Sequence, residues 1–161
     1  MTQGYTYFVM FGNCLHTVDY QALQGDGLEV DSMNEREIEE FARERIGRPV
    51  VVVGASTGSD THSVGIDAML NLKGYHGHHG LEGYRAFQTY NMGSQVSNNE
   101  LVARAIEVKA DAILVSQTVT QQNLHIHNLT ELVEILEAEG RRKDTILACG
   151  GPRVSNELAK E

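Results

Sequence analysis

The feature that most constrains the fold is a run of β-branched residues, Val50 to Val53, that stops at Gly54. Small and polar residues follow as far as Asp60, Thr61 and His62, and a helical pattern then runs from Val64 toward Lys73 and Gly74. The run is continuously apolar, not alternating, so as a strand it is expected to be buried on both faces, the condition of a parallel sheet. Ala112 to Val115 repeats the pattern and ends at Ser116; Thr145 to Ala148 does so and ends at Cys149, Gly150 and Gly151. Arg85 to Tyr90 is a shorter strand ended by Gly93. Ser97 and Glu100 have capping-box spacing, and Leu101, Ala105 and Val108 follow on one helical face. Leu129, Leu132, Val133 and Leu136 mark a further helix stopped at Gly140, and Ser155 to Glu161 reads as the first turns of another. Strands alternating with helices predict an α/β fold, a flavodoxin-like doubly wound parallel sheet of the Rossmann-like kind.

Upstream, Tyr7 to Phe11 reads as a short strand closed by Gly12, followed by an irregular stretch. Ser32 and Glu35 make another capping-box spacing, Ile38, Phe41, Ala42 and Arg45 recur at helical intervals, and Gly47 stops the helix. The expected organisation is an N-terminal strand, irregular segment and helix over residues 1–48, and a ligand-binding domain over 49–161.

Composition narrows the partners. A net charge of −9 disfavours nucleic acid and anionic membrane, because phosphate is neutralised by clustered Lys and Arg. No apolar run approaches the ~18 residues of a membrane-spanning helix, and the start lacks the pattern of a secretory signal. The expected location is cytoplasmic, with Cys14 and Cys149 as reduced thiols.

In an open α/β sheet, ligands bind outside the carboxyl ends of the strands. Three strand exits here carry small and hydroxyl residues: Gly54 through His62; Ser116, Gln117, Thr118, Val119 and Thr120; and Gly150, Gly151 and Pro152. Together they suggest a large ligand lying close to the backbone. The first loop is neither the dinucleotide fingerprint nor a P-loop. It places an imidazole two residues after a carboxylate, so His62 is a candidate metal ligand, with Asp60 the candidate to fix its tautomer. A lone loop histidine is also a common solvent-exposed bystander, and the spacing alone does not separate the two. Likewise a Lys at the end of a helix, such as Lys73, is ordinarily just solvated there.

At these residues the chain resembles cobalamin-binding domains with an Asp-x-His-x-x-Gly motif, here Asp60, Thr61, His62, Ser63, Val64 and Gly65, followed by Ser116-Gln117-Thr118 and Gly150-Gly151. Longer segments, among them VVVGASTGSDTHSVGIDAMLNLKGY, LVSQTVTQ and CGGPRVSNELAKE, resemble the family of lysine 5,6-aminomutase β subunits. The resemblance implies adenosylcobalamin and pyridoxal 5′-phosphate as cofactors. It implies radical 1,2-amino migration on lysine, in a hetero-oligomer with a larger α subunit that supplies a barrel active site. It makes His62 the axial ligand of cobalt, Asp60 its partner, and Lys73 the internal aldimine lysine for pyridoxal phosphate. It implies cobalamin contacts from Ser59, Asp60, Thr61, His62, Ser63, Val64 and Gly65; from Leu114, Val115, Ser116, Gln117, Thr118, Val119, Thr120 and Gln121; and from Ala148, Cys149, Gly150, Gly151 and Pro152. Gly65 leaves room for the nucleotide tail.

The alternatives are an ornithine 4,5-aminomutase component, which shares the motifs, and a non-catalytic corrinoid carrier, which has no use for Lys73. Relative to the family the chain lacks a leading segment and a final strand and helix, so a shortened chain is the expectation. From His62 to Lys73 a continuous helix would cover about 15 Å. His76, His78 and His79 crowd a glycine-rich loop where zinc or nickel is a lesser reading. His125 is a candidate for the corrin edge or a cofactor phosphate, His127 is unplaced, and His16 suits a structural or subunit contact.

Overall fold

The Val50 to Val53 run is the core of strand β1 (Val50–Ser56), and the sheet is assembled around it. The computed structural model describes residues 33–118, 123–152, 154, 155 and 157–160. The strand expected at Tyr7 to Phe11 lies outside them, as do Cys14, His16, Val119, Thr120 and Gln121. By its contacts the chain divides into two compact units, Met1–Ser32 and Met33–Glu161. The second contains every element described below, including a helix that precedes the residue 49 expected to open the cofactor domain.

Besides β1, the described strands are β2 (Phe87–Asn91), β3 (Ala112–Ser116) and β4 (Ile146–Gly150). All pair in parallel, in the order β2-β1-β3-β4. The helices are α1 (Glu35–Arg45), α2 (Val64–Leu70), α3 (Asn98–Glu107) and α4 (Leu124–Ala138), with a single 3₁₀ turn at Leu81–Gly83. The doubly wound α/β architecture expected from the sequence is therefore present. The chain leaves β1 toward β2 on one side and returns to β3 on the other. That reversal opens a crevice at the carboxyl ends of β1 and β3, where Ser56 pairs with Ser116.

Successive strand residues face opposite sides. Val53, Ala55, Ile113 and Val115 pack with Leu101, Val102, Leu132 and Leu136 of α3 and α4. Val52 packs with Ile66 and Leu70 of α2. Gly54 lets α2 come close, since a Cβ there would stand 2.6 Å from Leu70 Cδ1 and 2.7 Å from Ile66 Cδ1.

Several boundaries differ from the sequence reading. The capping box of α1 is formed by Asn34 and Glu37, two residues after the Ser32 and Glu35 expected: Glu37 N donates to Asn34 Oδ1 at 3.1 Å and Asn34 N to Glu37 Oε2 at 2.8 Å. The box at Ser97 and Glu100 is as expected. Helix α2 ends at Leu70, short of Lys73, because Asn71 turns to an extended conformation with ψ 150°. Helix α4 begins at Leu124, since its buried stripe runs back from Leu136, Leu132 and Leu129 to the imidazole of His125, which is 6% exposed. Beyond Ser155 there is one helical turn, closed by Ala159 N donating to Ser155 O at 3.0 Å.

At the amino ends of β1 and β3, Arg48 grips Asp111 through two bonds of 2.7 Å, and Val51 N donates to the same carboxylate at 2.9 Å. The Arg48 guanidinium holds the Asp111 carboxyl below its ordinary value of 3.8. A carboxyl depressed on folding stabilises the fold above its unfolded pKa, and that contribution is lost as the pH falls through its folded pKa. Asp111→Ala, which strands the Val51 N–H, is expected to cost about 1–2 kcal/mol at neutral pH. Denaturant titrations of parent and variant should converge as the pH is taken below 3.8.

Candidate functional site

The loop after β1 is tied down at each step. Gly58 N donates to Val96 O at 2.9 Å, Gln95 N to Asp60 O at 3.0 Å, and Ser56 Oγ to His62 O at 2.6 Å. These bonds carry Asp60 under the loop and leave His62 above it. The Asp60 side chain is 1% exposed, whereas that of His62 is 50% exposed. A buried carboxylate needs donors, and Asp60 has them. Oδ1 accepts from His62 N at 2.9 Å and from His62 Nδ1 at 3.0 Å, and Oδ2 accepts from Thr118 N at 2.5 Å. Because Nδ1–H is committed to a carboxylate, the neutral ring keeps its lone pair on Nε2, the atom a metal would take.

The second strand exit completes the wall. Ser116 and Gln117 are buried, and Gln117 Nε2 donates back to Thr57 Oγ1 at 2.5 Å and Thr57 O at 3.2 Å. Thr118 reaches Asp60 through its backbone. The first two exits of the expected site thus meet at the β1–β3 crevice. Gly65 opens onto the same place, where a Cβ would stand 2.8 Å from Ser116 Oγ. The third exit is joined by Gln117 N, which donates to Gly150 O at 2.8 Å, and by Gly151, where a Cβ would collide with the Gln117 carbonyl oxygen.

The remaining expected contacts are less central. Ser59, Thr61 and Val64 are exposed, Val64 to 76%. Ser63 Oγ donates to Asp67 Oδ2 at 2.8 Å. Leu114 and Val115 lie on opposite faces of β3. Ala148 and Pro152 are exposed, and Cys149 is half-buried, with burial raising its thiol pKa.

Lys73 does not sit on α2. It lies three residues past the helix end, exposed, in a turn that begins at Asn71. The 15 Å helical span expected between His62 and Lys73 is therefore replaced by a seven-residue helix with a loop residue at each end. Asp67 ties that helix to β2: its Oδ1 accepts from Asn71 Nδ2 at 3.1 Å and from Asn91 Nδ2 at 2.7 Å. Among the described residues no three-member cluster of His, Cys, Asp or Glu is placed to hold a metal ion, so His76, His78 and His79 do not form the zinc or nickel site considered above. His125 is buried in α4, and His127 is exposed on it.

Sequence reasoning placed Ser56 and Thr57 in the first strand exit without giving either a role: the Ser56 hydroxyl holds the His62 carbonyl, and Thr57 anchors Gln117. Their signal was present, as small hydroxyl residues closing an apolar strand.

Residues 50–160 match the family model described as the B12 binding domain. Two curated relatives match all 161 residues. The lysine 5,6-aminomutase β subunit of Acetoanaerobium sticklandii is 50% identical, and that of Fusobacterium nucleatum is 55% identical. The chain spans 62% and 61% of their respective lengths. Among solved structures, a cobalamin-binding protein from Desulfitobacterium hafniense DCB-2 superposes with a TM-score of 0.56 over 78% of this chain and 58% of that one, at 19% identity, a likeness of fold. With the family's match extending from β1 through β4 and across all three strand exits, the chain belongs to the B12-binding domain family.

Proposed function

We propose that this chain is the cobalamin-carrying portion of an aminomutase β subunit that acts on lysine together with a larger partner subunit. The observation that carries the reading is the Asp60–His62 pair: a carboxylate 1% exposed holds Nδ1 at 3.0 Å and leaves Nε2 on a half-exposed ring at the sheet mouth. Those residues suit the cofactor. An imidazole with a fixed tautomer is a competent cobalt ligand, and the Gly65–Ser116 approach is a cradle that any side chain at residue 65 would fill. When bound, adenosylcobalamin supplies a carbon radical from its cobalt–carbon bond, and pyridoxal phosphate supplies the carrier on which nitrogen migrates.

The protein's own part is positional. Asp60 orients His62, while Ser56 and Gln95 hold the loop that carries both. Ser116, Gln117 and Gly151 shape the wall beside Gly65. Lys73 offers an amine to the second cofactor from the other end of α2, and it is the residue that favours an aminomutase over a corrinoid carrier. The relatives' names support lysine as the substrate and a second subunit as the partner; the partner's barrel is what the family resemblance implies, and a cytoplasmic setting is the expectation from the sequence. Among the described residues no helix is long and apolar enough to cross a membrane.

The test is spectroscopic. Adenosylcobalamin added at neutral pH is expected to bind with its benzimidazole displaced, and His62→Ala is expected to abolish that spectrum. Pyridoxal phosphate added next is expected to give a new visible band that Lys73→Ala removes. A cobalamin spectrum without any pyridoxal band in the parent would replace this reading with that of a carrier.

A further inference from the structure

The loop after α2 is fastened by side chains from farther along the chain, and these fastenings converge on one residue, Leu72. Leu72 N donates to Glu82 Oε2 at 2.8 Å, and Leu72 O accepts from His79 Nδ1 at 3.0 Å. The next residue is Lys73, whose own N–H shares a peptide unit with the Leu72 carbonyl. On its far side Gly74 N donates to Asn71 O at 3.0 Å. Tyr75 and His78 then exchange two backbone bonds of 2.9 and 3.0 Å, with His76 at φ 51° and Gly77 at φ 84° as the two residues of a tight hairpin. That hairpin returns the chain so that His79 and Glu82 lie beside Leu72. Gly80 and Gly83 permit the return: a Cβ at Gly80 would collide with Asn71 O, and one at Gly83 would stand 2.9 Å from His79 Cβ.

Lys73 itself is exposed and makes no hydrogen bond or ion pair among the described residues. The residues on either side of it are held, and Lys73 between them is exposed. We infer that Glu82 and His79 are positioning residues for Lys73, fixing the direction from which its amine meets an aldehyde-bearing cofactor. The inference rests on the reading of Lys73 given above. Glu82 acts as an acceptor, and an amide oxygen in its place would do the same. Because Leu72 O can only accept, His79 Nδ1 is the donor, and both the neutral tautomer protonated at Nδ1 and the cation supply that hydrogen.

The test uses the full chain and pyridoxal phosphate, with borohydride as the trap. Each lysine amine condenses with the aldehyde with loss of water, and hydride reduction of the C=N bond leaves a stable secondary amine that peptide mapping locates. The chain has four lysines, so Lys109, Lys143 and Lys160 are internal controls. The parent is expected to be labelled mainly at Lys73. Glu82→Ala and His79→Ala are expected to lower the extent of labelling at Lys73 about fivefold, the factor that one ordinary hydrogen bond supplies, with the extent at each of the other three lysines unchanged. Glu82→Gln is expected to stay near the parent. Alanine variants that keep the parent's extent of labelling at Lys73 overturn the positioning role alone. Equal labelling of all four lysines in the parent overturns the reading of Lys73, and the inference with it. Variants in which all four lysines change together point to general loosening of the fold and also overturn the positioning role.

Discussion

Replacing Asp60 with asparagine is expected to weaken cobalamin binding by about 10- to 100-fold, the range found when the hydrogen-bond partner of a metal-ligating histidine is removed. The change is nearly isosteric, so its effect isolates chemistry from shape. Both carboxylate oxygens of Asp60 face donors: Oδ1 takes His62 N and Nδ1, and Oδ2 takes Thr118 N. An amide has one acceptor oxygen. If that oxygen faces His62, the amide N–H meets Thr118 N–H and the loop is pushed from the β3 exit. If it faces Thr118, the amide N–H meets His62, which then accepts at Nδ1 and carries its proton on Nε2. A protonated Nε2 cannot ligate cobalt. Equilibrium titration with adenosylcobalamin checks this, and affinity within twofold of the parent would count against the tautomer argument.

The second large effect is expected at Gly151. Its φ is +132°, and a Cβ there would overlap the Gln117 carbonyl, standing 2.7 Å from its carbon and 3.1 Å from its nitrogen. Backbone atoms cannot rotate away as a side chain could. Gln117 is 2% exposed and is bonded to Thr57 on one side and Gly150 on the other. Gly151→Ala should therefore cost about 3 kcal/mol, combining strain at a positive φ with overpacking. Gly140 is the control: its φ is +66°, and nothing lies within 4 Å of a Cβ there. Gly140→Ala should cost only about 1 kcal/mol, from conformation alone. Chemical denaturation of the two variants separates the terms. Because the displaced Gln117 adjoins Thr118, Gly151→Ala should also weaken cobalamin binding, and Gly140→Ala should not.

These expectations show where the sequence was legible. Val50 to Val53 and Ala112 to Val115 could be read as strands because central parallel strands bury both faces and their apolar runs are unbroken. Thr145 to Ala148 looks the same in sequence, but β4 is an edge strand of the sheet and Ile146 on it is 70% exposed. The helix over Asn98–Glu107 was legible from Ser97 and Glu100. The same spacing at Ser32 and Glu35 misled, because Asn34 and Glu37 offer an equivalent box two residues later and local spacing cannot rank them. The end of α2 was hidden for another reason. Asn71, Leu72 and Lys73 continue a helical pattern, but the chain turns where Asn71 engages Asp67 and Asn91, a residue 20 positions away.

The hairpin at Tyr75 to His78 was equally hidden, because it holds His76 at positive φ where Asn or Gly would have signalled the turn. At the site, the Asp60–His62 pairing could be proposed from spacing, since both residues lie on one loop. The Thr118 contact spans 58 residues and depends on the β1–β3 pairing. The identity of the ligand came from resemblance, not from periodicity or charge.

His62 is proposed to replace the cofactor's own base on cobalt. The most direct test is electron paramagnetic resonance of the cobalt(II) form bound to chain labelled with ¹⁵N-histidine. Nitrogen splitting that changes with the histidine label and disappears in His62→Ala is the expected result. Splitting that ignores the label, arising from the cofactor's own benzimidazole nitrogen, would contradict it.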